Sequence, residues 1–313
     1  MSRIPFSFGN AISHYSKTGG PGGFLWKFAL AYAVVTCVLQ AVSIWLQWPL
    51  YEVYLRMITD SGGDFEAYAD EIGRVSGTTS LRALLIMPVG LLVWMMFEAA
   101  NQRRYMRAEG FSLRLGGDEW RLLVIGIIWV VTLFVMYFGF AFTIVIPVAL
   151  GLALGSKGAT IALLLGIVLV TVYLIFMLWA VARLSAASAL TVRDRRIRFF
   201  ESWKVTKGKG WTILGTWIVL GLIAMVAGIV FYLIAAAVGF GLVAAQVPDF
   251  TDDAAGAAIM SALASPAFWG PMLLVAFVYI MLGAMFMHIY SGPAALAART
   301  DSDWSGDVAG EFQ

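Results

Sequence analysis

The chain reads as an all-α polytopic membrane protein with six transmembrane helices, and three observations carry that reading. Of its 313 residues, 61% are hydrophobic and only 13% charged, with a mean hydropathy of +0.84. A soluble domain carries about 25% charged residues, so this chain cannot clothe a water-facing surface. Apolar runs recur six times, each near the roughly 20 residues needed to cross a hydrocarbon core ~30 Å thick. The basic residues between those runs gather on one side.

The first run covers 24–48. Arg3 and Lys17 precede it, yet it is longer than a signal-peptide core and no small-residue cleavage site follows, so it reads as a span. The others cover 83–100, 121–145, 160–182, 212–238 and 271–289. The third and fifth continue in apolar character to Leu154 and Ala245. Runs of that length must tilt, protrude or break, and Pro147 and the pair Gly239/Gly241 are the expected break points. Between the first two spans, "DFEAYADEI" places Phe65, Tyr68, Ala69 and Ile72 on one helical face, the pattern of a short amphipathic helix. The organisation is a cytoplasmic N-terminal segment at 1–22, one six-helix domain at 23–300, and an acidic cytoplasmic tail at 301–313.

With the N-terminus inside, the inside segments hold 17 of the 21 Lys and Arg residues. The outside segments hold Arg56, Arg74, Arg82 and Lys157, together with nine acids. This positive-inside bias directs both termini to the cytoplasm, here of a bacterial inner membrane. Tryptophans at several span ends suit the headgroup level.

A short pattern recurs where inside segments enter the membrane. Gly23–Trp26, Gly117–Trp120 and Gly208–Trp211 all read G-x-x-W, their tryptophans 94 and then 91 positions apart. "ALTVRD" (Ala189–Asp194) after the fourth span is echoed by "ALAART" (Ala295–Thr300) after the sixth. Three tandem helical hairpins account for both. In this reading the glycine takes a left-handed cap conformation and the tryptophan anchors the interface.

The glycines of "VTKGKGWT" do not make a phosphate loop. A Walker A motif needs G-x-x-x-x-G-K-[ST] after a strand, whereas Lys209 is followed by Gly210. One cysteine and two distant histidines offer too few ligands for a metal site, and no cofactor is implied. Ser185, Ser188 and Ser202 have no histidine nearby in sequence, and no acid dyad stands within a span, so no catalytic residue is assigned.

Two groups remain as candidate sites. Glu98, Arg183 and His288 lie near the inside ends of the even-numbered spans and form a candidate polar cluster. The segment 183–210 carries Arg193, Arg195, Arg196, Arg198, Lys204, Lys207 and Lys209 among the aromatics Phe199, Phe200 and Trp203. Basic residues beside aromatics at a bilayer point to anionic phospholipid contact, and a loop this short and close to the membrane excludes nucleic acid.

Arg183 with Ser202, Trp203, Thr206, Lys207, Gly208, Trp211, Leu214 and Gly215 resembles a motif of a bacterial polytopic membrane family. "LRLGGDEWRLL" (Leu113–Leu123) looks like a segment common among its alphaproteobacterial relatives. The family includes the integral-membrane domain fused to some glycerophosphodiester phosphodiesterases. Their chemistry resides in a separate barrel domain with no counterpart here, so the resemblance implies phospholipid surroundings and transfers no catalytic residue. The expected function is a lipid-associated scaffold or accessory protein without its own catalysis, with membrane lipids and a membrane-protein partner. The alternative is a transporter for a small or lipid-like solute.

Overall fold

The computed structural model describes residues 4–61, 65–155, 158–247 and 255–301, and among these the regular structure is helical with no strand. Helix α1 (Phe8–Ser13) and a 3-10 turn (His14–Ser16) precede α2 (Phe24–Ser61). Then come α3 (Ala69–Leu84), α4 (Ile86–Arg107), α5 (Gly117–Leu154) and α6 (Ala159–Leu184). The short α7 (Ala187–Asp194) and α8 (Glu201–Val205) lead into α9 (Gly210–Ala244), α10 (Ala255–Ala264) and α11 (Pro266–Arg299). Six helical stretches are long and apolar enough to cross a membrane: Phe24–Met57, Glu66–Arg107, Gly117–Leu154, Ala159–Asp194, Gly210–Ala244 and Pro266–Arg299.

Each stretch overruns its sequence-derived boundaries. At 1.5 Å per residue, the 38 residues of α5 extend ~57 Å, well past a hydrocarbon core of ~30 Å. The expected breaks do not occur, because Pro147 lies inside α5 and Gly239 and Gly241 inside α9. Packing supplies the support. A Cβ placed on Gly166 would meet the Pro147 ring at 3.5 Å, so α6 presses on α5 where the proline interrupts the ladder. Gly239 likewise sits against Phe268 and Met272 of α11. The predicted amphipathic segment becomes a 3-10 turn at Glu66–Tyr68 running into α3, with Ile72 buried.

The helices belong to two compact units. One comprises Gly23–Phe97 and Ile223–Met287. There α2 packs along α3, Arg56 on α2 pairs with Glu71 on α3 at 2.7 Å, and Phe28 and Tyr32 meet Phe97 edge-on.

The other comprises Met1–Gly22, Glu98–Leu222 and His288–Gln313. In it α5 packs along α6, and the surfaces they turn outward are apolar, with Val135, Leu152, Leu163 and Leu164 exposed. Such surfaces suit a lipid solvent. At the ends of the helices the packing becomes dense and small: Ala186, Ala189, Ala295 and Ala298 are buried with Tyr105, Met106 and Leu190. Alanines let backbones approach closely. The N-terminal segment is part of this unit, since Ala11 and His14 are fully buried. Residues 302–313 of the acidic tail lie outside the described residues.

Candidate functional site at the basic end of the helices

Where α4, α6 and α11 finish and α5 and α9 begin, charged and polar side chains collect in layers. Arg103 of α4 and Glu119 of α5 form an ion pair in which each side chain is 1% exposed, and Arg103 also donates to the Ser112 carbonyl at 2.9 Å. Arg107 pairs with Asp118 at 2.7 Å, and Asp118 also meets Arg121 at 3.1 Å. Glu119 in turn accepts from the Gly116 amide at 3.0 Å, so the acids at the start of α5 both cap their helix and hold α4. A buried pair of this kind contributes little net stability, but removing one partner alone is costly, about 3–5 kcal/mol.

Two arginines repeat one geometry. Arg107, at the end of α4, donates to the Val192 carbonyl, and Arg193, at the end of α7, donates to the Ala298 carbonyl. Each acceptor immediately precedes the next arginine, Arg193 or Arg299. The end of α4 is thus tied to the end of α7, and the end of α7 to the end of α11. Arg299 has its Nη1 enclosed and unpartnered.

The G-x-x-W repeat divides. Gly23 and Gly208 adopt the left-handed conformation, with φ of 76° and 75°. Gly117 does not; it is the first residue of α5, and the extended Gly116 caps that helix instead. There Glu119 of the first turn accepts from the Gly116 amide. Trp26, Trp120 and Trp211 are all exposed, as an interfacial anchor requires.

The candidate cluster of Glu98, Arg183 and His288 does not assemble as a triad. Glu98 accepts from Gln102 at 2.9 Å and also bonds with Asn101 and Ser188. Asn101 meets His288 Nδ1 at 2.5 Å and donates to Ser291 at 2.8 Å, so Glu98 and His288 share a network through Asn101. The Tyr105 hydroxyl donates to the His288 carbonyl at 2.7 Å, and its ring lies stacked between His288 and His14 at 4.7 and 5.5 Å. Burial pushes the His14 imidazole down from 6.5 to about 3, with Arg299, Lys17 and His288 adding to the shift. Asn101, Tyr105, Ser291 and His14 were not legible as site residues. Their only signal was a polar pair, Asn101 and Gln102, one turn beyond Glu98.

Arg183 sits in a separate corner. Its backbone carbonyl accepts from Ser202 Oγ at 3.0 Å and Thr206 Oγ1 at 2.7 Å, so α8 caps the end of α6. Its guanidinium lies over the Trp179 and Trp203 rings, 5.4 and 4.9 Å from their centres, and donates to the Trp203 carbonyl. Gly210 makes room for the stem, because a Cβ there would stand 2.7 Å from Arg183 Cδ.

The basic segment separates into two sets. Arg193 holds Asp194, Asp301 and the Ala298 carbonyl, while Arg198 holds Asp194. Lys209 donates to the Ala297 carbonyl at 3.2 Å and to Thr300 at 3.0 Å, and desolvation lowers its pKa. These three expected lipid contacts are engaged within the protein. Arg195, Arg196, Lys204 and Lys207 are exposed, beside exposed Ile197, Phe200, Trp203 and Trp211. Trp203 and Lys204 lie on α8, while Phe200 caps its start and Lys207 follows its end, and all four are exposed.

A cleft of about 370 Å³ between α5 and α6 is lined by Thr143, Pro147, Gly166 and aliphatic side chains, with no ionisable group. Among the described residues, no three His, Cys, Asp or Glu side chains converge to hold a metal ion. No known protein family matches the chain, nor does any curated protein or solved structure.

Proposed function

We propose that this membrane protein is a lipid-associated scaffold or accessory protein whose basic end rests on the anionic headgroups of the cytoplasmic leaflet of a bacterial inner membrane. The observation that carries the reading is the exposure of Arg195, Arg196, Lys204 and Lys207 among exposed Phe200, Trp203 and Trp211, in a chain with six helices long and apolar enough to cross a membrane. Each such cation near an anionic surface contributes about 1 kcal/mol, and the aromatics bury their rings at the headgroup level. The positive-inside charge bias supports this orientation, and the proposal gives the chain no catalytic step.

Hydrogen–deuterium exchange in nanodiscs tests it. Residues 195–209 should exchange more slowly in discs containing phosphatidylglycerol than in discs of phosphatidylcholine alone, and high salt should erase the difference. Equal exchange in both lipids would sink the proposal.

A second reading, a carrier for a small or lipid-like solute, is favoured by the network of Glu98, Asn101, His288 and Ser291 within the spanning helices. It predicts solute uptake by proteoliposomes that Asn101→Leu abolishes.

A further inference from the structure

Arg183, in the last turn of α6, carries a charge with no carboxylate partner among the described residues, and its stem lies against the start of α9. Only 8% of the residue is exposed, and among the described residues no carboxylate lies within ion-pair distance; the acid on the adjoining helix, Glu201, pairs with Arg198. Its Nη2 is used on the Trp203 carbonyl and its Nε is enclosed with no partner, which leaves Nη1 open. The stem passes Gly210, the first residue of the 35-residue α9. The first-turn amides of Gly210, Trp211 and Thr212 have no intrahelical acceptor, and the helix dipole adds about half a positive charge there. The Trp179 indole Nε1 lies beside the same backbone, 3.4 Å from where a Gly210 Cβ would stand. A guanidinium and a helix N-terminus repel one another, and a buried unpaired charge is costly. An anion between them turns both costs into attractions.

We propose that this corner is a phosphate-binding site, in which Arg183 Nη1, the Trp179 indole and the α9 first-turn amides hold one phosphate per chain. The site deepens the lipid reading, on which it rests, by naming the group held. The same chemistry fits a phospholipid headgroup or a free phosphate. Trp179 and Trp203 serve it by fixing the guanidinium plane, and Gly210 by letting the stem lie against the helix start.

Calorimetric titration of the detergent-purified full chain tests the site, with dihexanoyl phosphatidylglycerol and inorganic phosphate as separate probes. Saturable binding of one molecule per chain is expected for at least one probe. The lipid alone identifies a headgroup site, and phosphate alone a soluble anion. Arg183→Gln should weaken binding roughly tenfold or more, the loss of a charged hydrogen-bond donor. Gly210→Ala keeps every charge but displaces the Arg183 stem, and should show the same loss even if Arg183→Gln fails to fold. Arg195→Gln with Arg196→Gln should leave this stoichiometric binding unchanged while weakening the diffuse, salt-sensitive attraction to anionic discs. Absence of binding to either probe overturns the proposal. So does undiminished binding in a folded Arg183→Gln protein, which would leave the guanidinium satisfied by its two tryptophans and the ends of α6 and α8.

Discussion

Single residues at the basic end are held by contacts that leave little room for change. Gly20 has φ of 73°, and a Cβ there would overlap the Ala108 carbonyl oxygen and come against Arg104. Gly20→Ala should therefore lower the thermal midpoint in detergent, by an amount corresponding to about 1–3 kcal/mol; an unchanged midpoint would contradict the packing described. His14 is buried and neutral, its pKa near 3 against 6.5 when exposed. Unfolding lets it take up a proton at any pH between those values. The stability it contributes is thus complete above pH 6.5 and is lost as pH falls towards 3, by up to about 1.4 kcal/mol per pH unit. Amide exchange of residues 8–16 should accelerate between pH 7 and pH 5, once corrected for intrinsic rates, and His14→Phe should remove that acceleration. The same steepness in the variant would assign the effect to other groups.

At the scale of elements, the corner of α6, α8 and α9 explains why its sequence is so particular. Ser202 and Thr206 cap the Arg183 carbonyl, Trp203 covers the guanidinium, Gly208 turns the chain and Gly210 admits the stem. Thr206→Val removes one donor from a buried carbonyl and should cost about 1–3 kcal/mol. Pulse proteolysis in detergent would measure this, and a neutral result would mean Ser202 suffices alone. The turn at Gly208 was legible because glycine next to an apolar run has a local meaning. The links from Arg107 to Val192 and from Arg193 to Ala298 were not, because they join residues 85 and 105 positions apart. For the same reason Arg193 and Lys209 looked like surface charge, although Asp301, Thr300 and the carbonyls of Ala297 and Ala298, all distant in sequence, engage them, whereas Arg198 is held locally by Asp194. Pro147 and Gly239 misled in the opposite sense: their local weakness is genuine, and neighbouring helices compensate for it.

At the scale of the whole molecule, six spanning helices were readable from hydropathy alone, because a bilayer imposes length and apolarity on every crossing. The packing at the basic ends of these helices, within the unit that holds α5 and α6, was not readable. Its polar layers resemble a soluble core, and its N-terminal piece carries no span. The central claim is that the basic end gathers anionic lipid around the chain. The most direct test extracts the protein with its surrounding bilayer in polymer-bounded native discs and measures the anionic fraction of the lipid by mass spectrometry. The account predicts enrichment over the bulk membrane for the native chain, reduced to the bulk value when Arg195, Arg196, Lys204 and Lys207 are all changed to Gln. A native chain surrounded by lipid of bulk composition would contradict it.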